Sequence, residues 1–199
     1  FCRLQDDLVD EGIKIENSNE VEELENIIES YGVSKNIISN LMEGINSDEN
    51  FKRFKDNSEL LRYCYKVAGV VGLMMIKALD IKQSEAKYFA IDLGMAMQLT
   101  NISRDIMQDY KKNRIYIPEN TGINKDIISN LTSENEIKLK RIVNQIILKS
   151  EIYYKSSLHG MRYIPIRSRL AILVSLRIYQ GIGIKLSLIH ISEPTRPMN

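Results

Sequence analysis

Two sets of acidic residues carry the most chemistry in this chain. DDLVD spaces Asp6 and Asp10 by four residues, and NISRDIMQD sets Asn101, Asp105 and Asp109 at successive four-residue steps. On an α-helix each four-residue step turns only about 40°, so each set forms a narrow column of oxygen ligands. Carboxylates stacked in this way repel one another and destabilise a bare helix. A hard dication reverses that penalty, and two facing columns could hold several Mg²⁺ ions with a diphosphate between them. Asp6, Asp10, Asn101, Asp105 and Asp109 are therefore the candidate metal ligands, and the chemistry they suggest is ionisation of a diphosphate.

Cations flank both sets. Arg3 precedes Asp6 by three residues, Arg104 precedes Asp105, and Lys111, Lys112 and Arg114 follow Asp109. A diphosphate carries more charge than one Mg²⁺ cancels, so guanidinium and ammonium groups would complete its shell. The competing reading pairs each cation with its neighbouring carboxylate, and for Arg104 the two readings balance. The basic stretch YKKNRIYIP reads as a loop able to cover a site and exclude the water that would quench a carbocation. A third feature is YCYKVAGVVGLMM, where Ala68, Gly69 and Gly72 crowd a helix interior, echoed by Ala90 and Gly94. Such residues serve close helix packing or leave a tunnel for a long hydrocarbon. Tyr63, Tyr116 and Tyr179 could offer ring faces or hydroxyls to positive charge.

Bulk properties narrow the class. Lys and Arg number 27 against 26 Asp and Glu, so no global field favours nucleic acid or an anionic surface. The two cysteines, Cys2 and Cys64, form no disulfide framework or metal-ligand spacing, which fits a reducing, cytoplasmic setting. The apolar run from Val67 to Leu79 is interrupted by Lys77 and is too short for a span of about 20 residues.

Around these residues nearly every segment reads as helix. Expected helices run from Ser18 or Asn19 to Tyr31 with Gly32 as the stop, and from Ser34 to Gly44. Others run from Asn57 or Ser58 to Leu79, from a Ser84 cap to Asp109, from Lys125, from Ser133 to Leu158, and from Ser168 to Lys185. Tyr110 to Asn124, with Pro118 and Gly122, is the expected loop. No alternation suggests a strand, so an all-α fold over 1–185 is expected. The terminal LSLIHISEPTRP resembles translated adapter sequence from library preparation, which sets 186–199, His190 included, outside the fold. Phe1 enters a motif directly, as an internal fragment would.

FCRLQDDLVDE, YCYKVAGVVGLMM, AMQLTNISRDIMQDYKKNRIYIP and SRLAILVSLRIYQGI resemble, in order and spacing, signature blocks of the squalene/phytoene synthases, the head-to-head prenyl transferases. The resemblance implies an isoprenoid-synthase helical bundle with a central cavity, here truncated at both ends. It implies Mg²⁺-dependent joining of two identical prenyl diphosphates, farnesyl or geranylgeranyl, to a C30 or C40 isoprenoid such as phytoene, dehydrosqualene or squalene. NADPH enters only for a reductive, squalene-type product, and no dinucleotide fingerprint is present. By the same resemblance Asp6, Asp10, Asp105 and Asp109 match the two DxxxD motifs, with Asn101 beside the second. Arg3, Tyr63, Arg104, Arg114 and Tyr116 match positions for diphosphate binding, catalysis or the lid, with Lys111 added from its place beside Asp109. Val67, Val71, Gly72, Ala90, Gly94 and Gln98 match cavity-lining positions, and Tyr179 a late-helix tyrosine.

Two departures stand out. Gln108 occupies a position where the family often has an acid, and the family's N-terminal phosphate-binding segment and C-terminal helix have no counterpart here. The competing functions are a head-to-tail elongase or terpene cyclase, opposed by the YCYKVAG and RIYIP blocks, and a non-catalytic helical relative that binds a partner, opposed by the four aspartates. Peripheral membrane association would suit a hydrocarbon product, although no amphipathic anchor is evident. Oligomeric state is not legible.

Overall fold

The computed structural model describes residues 26, 30–49 and 51–188. Arg3, Asp6 and Asp10 lie outside them, as does the expected N-terminal helix apart from Asn26 and Ser30. Among the described residues the secondary structure is helical, without strands.

Gly32 adopts φ +76°, the left-handed conformation that favours glycine and ends a helix. Helix α1 (Lys35–Asn46) follows Ser34, whose backbone is extended. Helix α2 (Asn57–Cys64) is capped by Asp56, which accepts from the amides of Ser58 and Glu59; the cap therefore sits one residue before the expected start. A π-turn over Tyr65–Gly69 joins α2 to α3 (Val70–Ala78), so the expected helix is present but carries a wider turn in its middle. Helix α4 (Ala86–Arg104) starts after Glu85, not on a Ser84 cap.

Helix α4 stops short of the expected end. Asp105 has φ −99° and ψ 12°, outside helical values, and α5 (Ile106–Lys111) resumes beyond it. The four-residue hydrogen bonds nevertheless cross this joint: Asp105 donates to the Asn101 carbonyl and Asp109 to the Asp105 carbonyl, both at 2.9 Å. The column of Asn101, Asp105 and Asp109 is thus kept on the backbone while the axis is interrupted.

The loop after α5 contains Pro118, a short 3₁₀ turn (Glu119–Thr121) and Gly122 at φ 72°. Asn124 caps α6 (Lys125–Ser129) through the Ile127 amide, and Thr132 caps α7 (Ser133–Gly160) through the Asn135 amide. A 3₁₀ turn (Met161–Tyr163) and Pro165 lead into α8 (Ile166–Leu188), which runs past the expected end at Lys185.

Helix α4 is the centre of the packing, with α3 and the π-turn, α7 and α8 against it. Ala96 and Leu99 are fully buried on its length. Tyr154 of α7 is also fully buried, and its hydroxyl meets that of Thr100 at 3.0 Å, so the polar atom enters the core with a partner. Burial pushes the Tyr154 hydroxyl up to about 12. Ile146 and Ile147 of α7 are buried, whereas Ile137, near its start, is exposed.

Candidate active site

The α3–α4 contact forms one wall of the site. A Cβ on Gly72 would stand 2.2 Å from the Ala90 carbonyl oxygen, and one on Gly94 would stand 2.2 Å from that of Ala68. Each helix thus offers a glycine to the other's carbonyl, and the backbones meet directly. Both readings of the small residues apply together, since Gly72, Ala90 and Gly94 also line a cavity of about 300 Å³. Val67, Val71, Gln98, Asn101 and Tyr179 line it as well. Every position matched to the family's cavity is on this wall.

The cavity is apolar over most of its length, with Met75, Ile76, Leu79, Phe89, Leu93, Met97 and Ile172 on its walls. Its polar end is the C-terminal part of α4, where Gln98 and Asn101 precede Asp105 by seven and four residues. The Asn101 amide nitrogen donates to the Gln98 side-chain oxygen at 3.4 Å. The Asn101 side-chain oxygen is buried and has no hydrogen-bond partner among the described residues. A buried acceptor left in this state costs about 1–3 kcal/mol, so it is poised to receive a cation or donor.

Asp105 is half-buried and held by Arg104, whose Nε and one terminal nitrogen each donate to a carboxylate oxygen at 2.7 Å. The bidentate pair raises the Arg104 pKa further above its usual value, and the Tyr179 hydroxyl contributes to the same shift. Arg104 therefore ties Asp105 to the Tyr179 side of the cavity. In the described structure its guanidinium is an ion-pair partner, as in the competing sequence reading.

Asp109 is also half-buried, and its pKa is raised to about 6. Loss of hydration is the main cause, with the Asp105 charge next; Lys112 and Arg114 pull the other way, and Asp48 adds a smaller upward push. A part-buried carboxylate raised by a second one beside it fits a dication, which would remove the repulsion. Asn101, Asp105 and Asp109 supply hard oxygen donors, and the unpartnered Asn101 oxygen fits the same role. Among the described residues no three His, Cys, Asp or Glu side chains converge as a complete metal cage. Lys111 is exposed at the end of α5. Arg114 is half-buried, and its amide donates to the Asp109 carbonyl at 2.9 Å.

Tyr63 and Tyr116 are not on the cavity wall. They stack with centroids 5.2 Å apart inside a cluster with Phe51 and Phe54. Both hydroxyls donate to Asp48, one to each carboxylate oxygen, at 2.9 Å. Burial, reinforced by the Asp48 charge, pushes both tyrosine pKa values well above the usual phenol range. These hydroxyls stay protonated at any physiological pH and act as donors. Nothing about Asp48 itself marks it in the sequence, because a lone acid after a helix resembles a solvated turn. The nearby aromatic residues Phe51 and Phe54 were the available signal, since only a paired acid is tolerated in such surroundings.

The model of the squalene/phytoene synthase family matches residues 3–187. The chain belongs to the squalene/phytoene synthase family. It is 38% identical over 148 residues to a 15-cis-phytoene synthase of Pantoea ananas, covering 72% of this chain and 47% of that protein. It is 32% identical over 149 residues to a 4,4'-diapophytoene synthase of Staphylococcus haemolyticus, covering 71% and 51%. The chain thus spans about half the length of these curated relatives. Among solved structures, a dehydrosqualene synthase crystallised with a ligand superposes with a TM-score of 0.74 at 25% identity, over 90% of this chain and 71% of that one. A squalene synthase from Alicyclobacillus acidocaldarius gives 0.73 at 17% identity, over 92% and 70%, and shows the fold alone. The all-α architecture is that of the isoprenoid synthases.

Proposed function

We propose that the protein carrying this chain joins two identical prenyl diphosphates head to head, giving a C30 or C40 isoprenoid. The observation that carries this reading is the apolar cavity along α4, which runs from hydrocarbon-lined walls to Gln98 and Asn101, one helical turn before Asp105 on the same backbone column. A prenyl chain fits the walls, and its diphosphate belongs at the acidic end.

In this mechanism Asn101, Asp105 and Asp109, together with Asp6 and Asp10, would hold Mg²⁺. Bound Mg²⁺ would stabilise the negative charge that develops on the departing diphosphate. Lys111 and Arg114 would balance the remaining phosphate charge, joined by Arg104 where a bound dication takes the Asp105 carboxylate in its place. The C1–O bond of one substrate breaks, and its electron pair leaves with the diphosphate. The double bond of the second substrate then attacks the allylic cation, and loss of a proton gives a cyclopropylcarbinyl diphosphate. Loss of the second diphosphate, rearrangement of the resulting cation and release of a further proton lead to the linear product. The apolar walls keep water from the cation, and Tyr179 presents a ring face or hydroxyl beside it. We assign a non-reductive, carotenoid-type ending; a reductive one would need NADPH.

The test is incubation with labelled farnesyl or geranylgeranyl diphosphate and Mg²⁺. A C30 or C40 hydrocarbon, or its cyclopropyl intermediate, is the expected product. Asp105→Asn should lower turnover about 100-fold or more while circular dichroism stays that of a folded helical protein. Undiminished turnover would remove Asp105 from the metal site. A longer prenyl diphosphate or a cyclic terpene would place the chemistry in a sister class.

A further inference from the structure

Helix α3 runs antiparallel to α4, because Gly72 meets Ala90 while Ala68 meets Gly94. The C-terminal residues of α3, Met75 among them, therefore share one end of the cavity with the start of α4. From Phe89 to Asp105 the helix rises about 24 Å, so this end is the one remote from the acidic column. Helix α7 also runs antiparallel to α4, with Ser156 bonded to Asp92 and Gly160 against Phe89. Its end delivers Gly160 and Tyr163 to the same place.

There Phe89 and Tyr163 stack with centroids 6.0 Å apart and an interplanar angle of 19°. Glycine at 160 makes room for this pair, since a Cβ there would stand 2.4 Å from the Phe89 Cβ. The His159 ring lies against Phe89 at 6.4 Å. Arg162 donates to the Tyr163 hydroxyl at 2.8 Å. The remaining wall at this end includes Met75, a flexible side chain that yields to a guest. The stacked rings, flanked by His159 and Arg162, are less adaptable than a methionine.

We infer that the Phe89–Tyr163 pair, seated on Gly160, sets the length of prenyl chain that the cavity admits. The inference rests on the prenyl diphosphate reading above and adds the residues that decide between C15 and C20. A chain whose last isoprene unit reaches the rings must displace them, whereas a shorter one stops before them.

Calorimetric titration of the full chain with Mg²⁺ and the thiolodiphosphate analogues of farnesyl and geranylgeranyl diphosphate tests this without requiring turnover. Phe89→Ala should shift the affinity ratio toward the C20 analogue by about tenfold, the scale on which apolar pockets discriminate added methylenes. Tyr163→Ala should shift it the same way. Phe89→Leu, a milder cut for use if the alanine variant does not fold, should shift it less. An unchanged ratio in a folded Phe89 variant of a protein that binds both analogues would overturn the gauge and leave the proposed function standing. A larger shift from Met75→Ala than from Phe89→Ala would overturn it too. Failure of the unsubstituted protein to bind either analogue would overturn both readings.

Discussion

At the scale of single residues, Asp109 links the fold to its proposed chemistry. Its folded-state pKa of about 6 lies above the unfolded carboxylate value of about 3.9. Between these values the folded chain binds more protons than the unfolded chain, so stability falls as pH rises through the interval. The penalty is absent below the unfolded value and complete above about 6. Asp109→Asn should therefore melt at a higher temperature than the parent above pH 6 in metal-free buffer, and at the same temperature near pH 4. Thermal melts across that range check the sign. Asp48 has the opposite character: each of its oxygens satisfies a buried tyrosine hydroxyl, and a hydroxyl left without an acceptor would cost about 1–3 kcal/mol.

At the scale of elements, the contact of α3 with α4 is the least tolerant part of the described fold. Gly72→Ala would drive a methyl into the Ala90 carbonyl, and no side chain can swing aside to admit it. We expect a loss of about 2–4 kcal/mol, read by denaturant unfolding, because the backbones themselves must part. By contrast a Cβ at Gly181 meets nothing within 4 Å. Much of this level was legible in the sequence. Apolar spacing and caps placed α1, α6, α7 and α8, and the blocks around Gly72 and Gln98 placed the cavity wall. The π-turn and the interruption at Asp105 were not legible, because hydrophobic periodicity runs smoothly through both and the departure lies in the backbone. The Asp48 bridge was hidden for another reason: its partners Tyr63 and Tyr116 are brought together only by the tertiary fold.

For the whole molecule, α8 shows how packing and exposure divide one helix. By length and composition Ile166–Ser187 could cross a membrane. Yet Leu176 is fully buried, and Tyr179 lines the cavity. The opposite side leaves Ile166, Leu170, Val174 and Ile178 exposed at four-residue intervals. Replacing Leu170 and Ile178 with Gln should change stability by less than about 0.5 kcal/mol per site and reduce concentration-dependent light scattering. The wall across the cavity from such surfaces has no comparable freedom. Main-chain atoms set the separation of α3 and α4, so substitutions along that seam cannot widen the slot by fine adjustment. New substrate breadth in descendants of this chain must arise on the facing helices or at the two ends of the cavity, with the glycine seam as the fixed jaw of the vise.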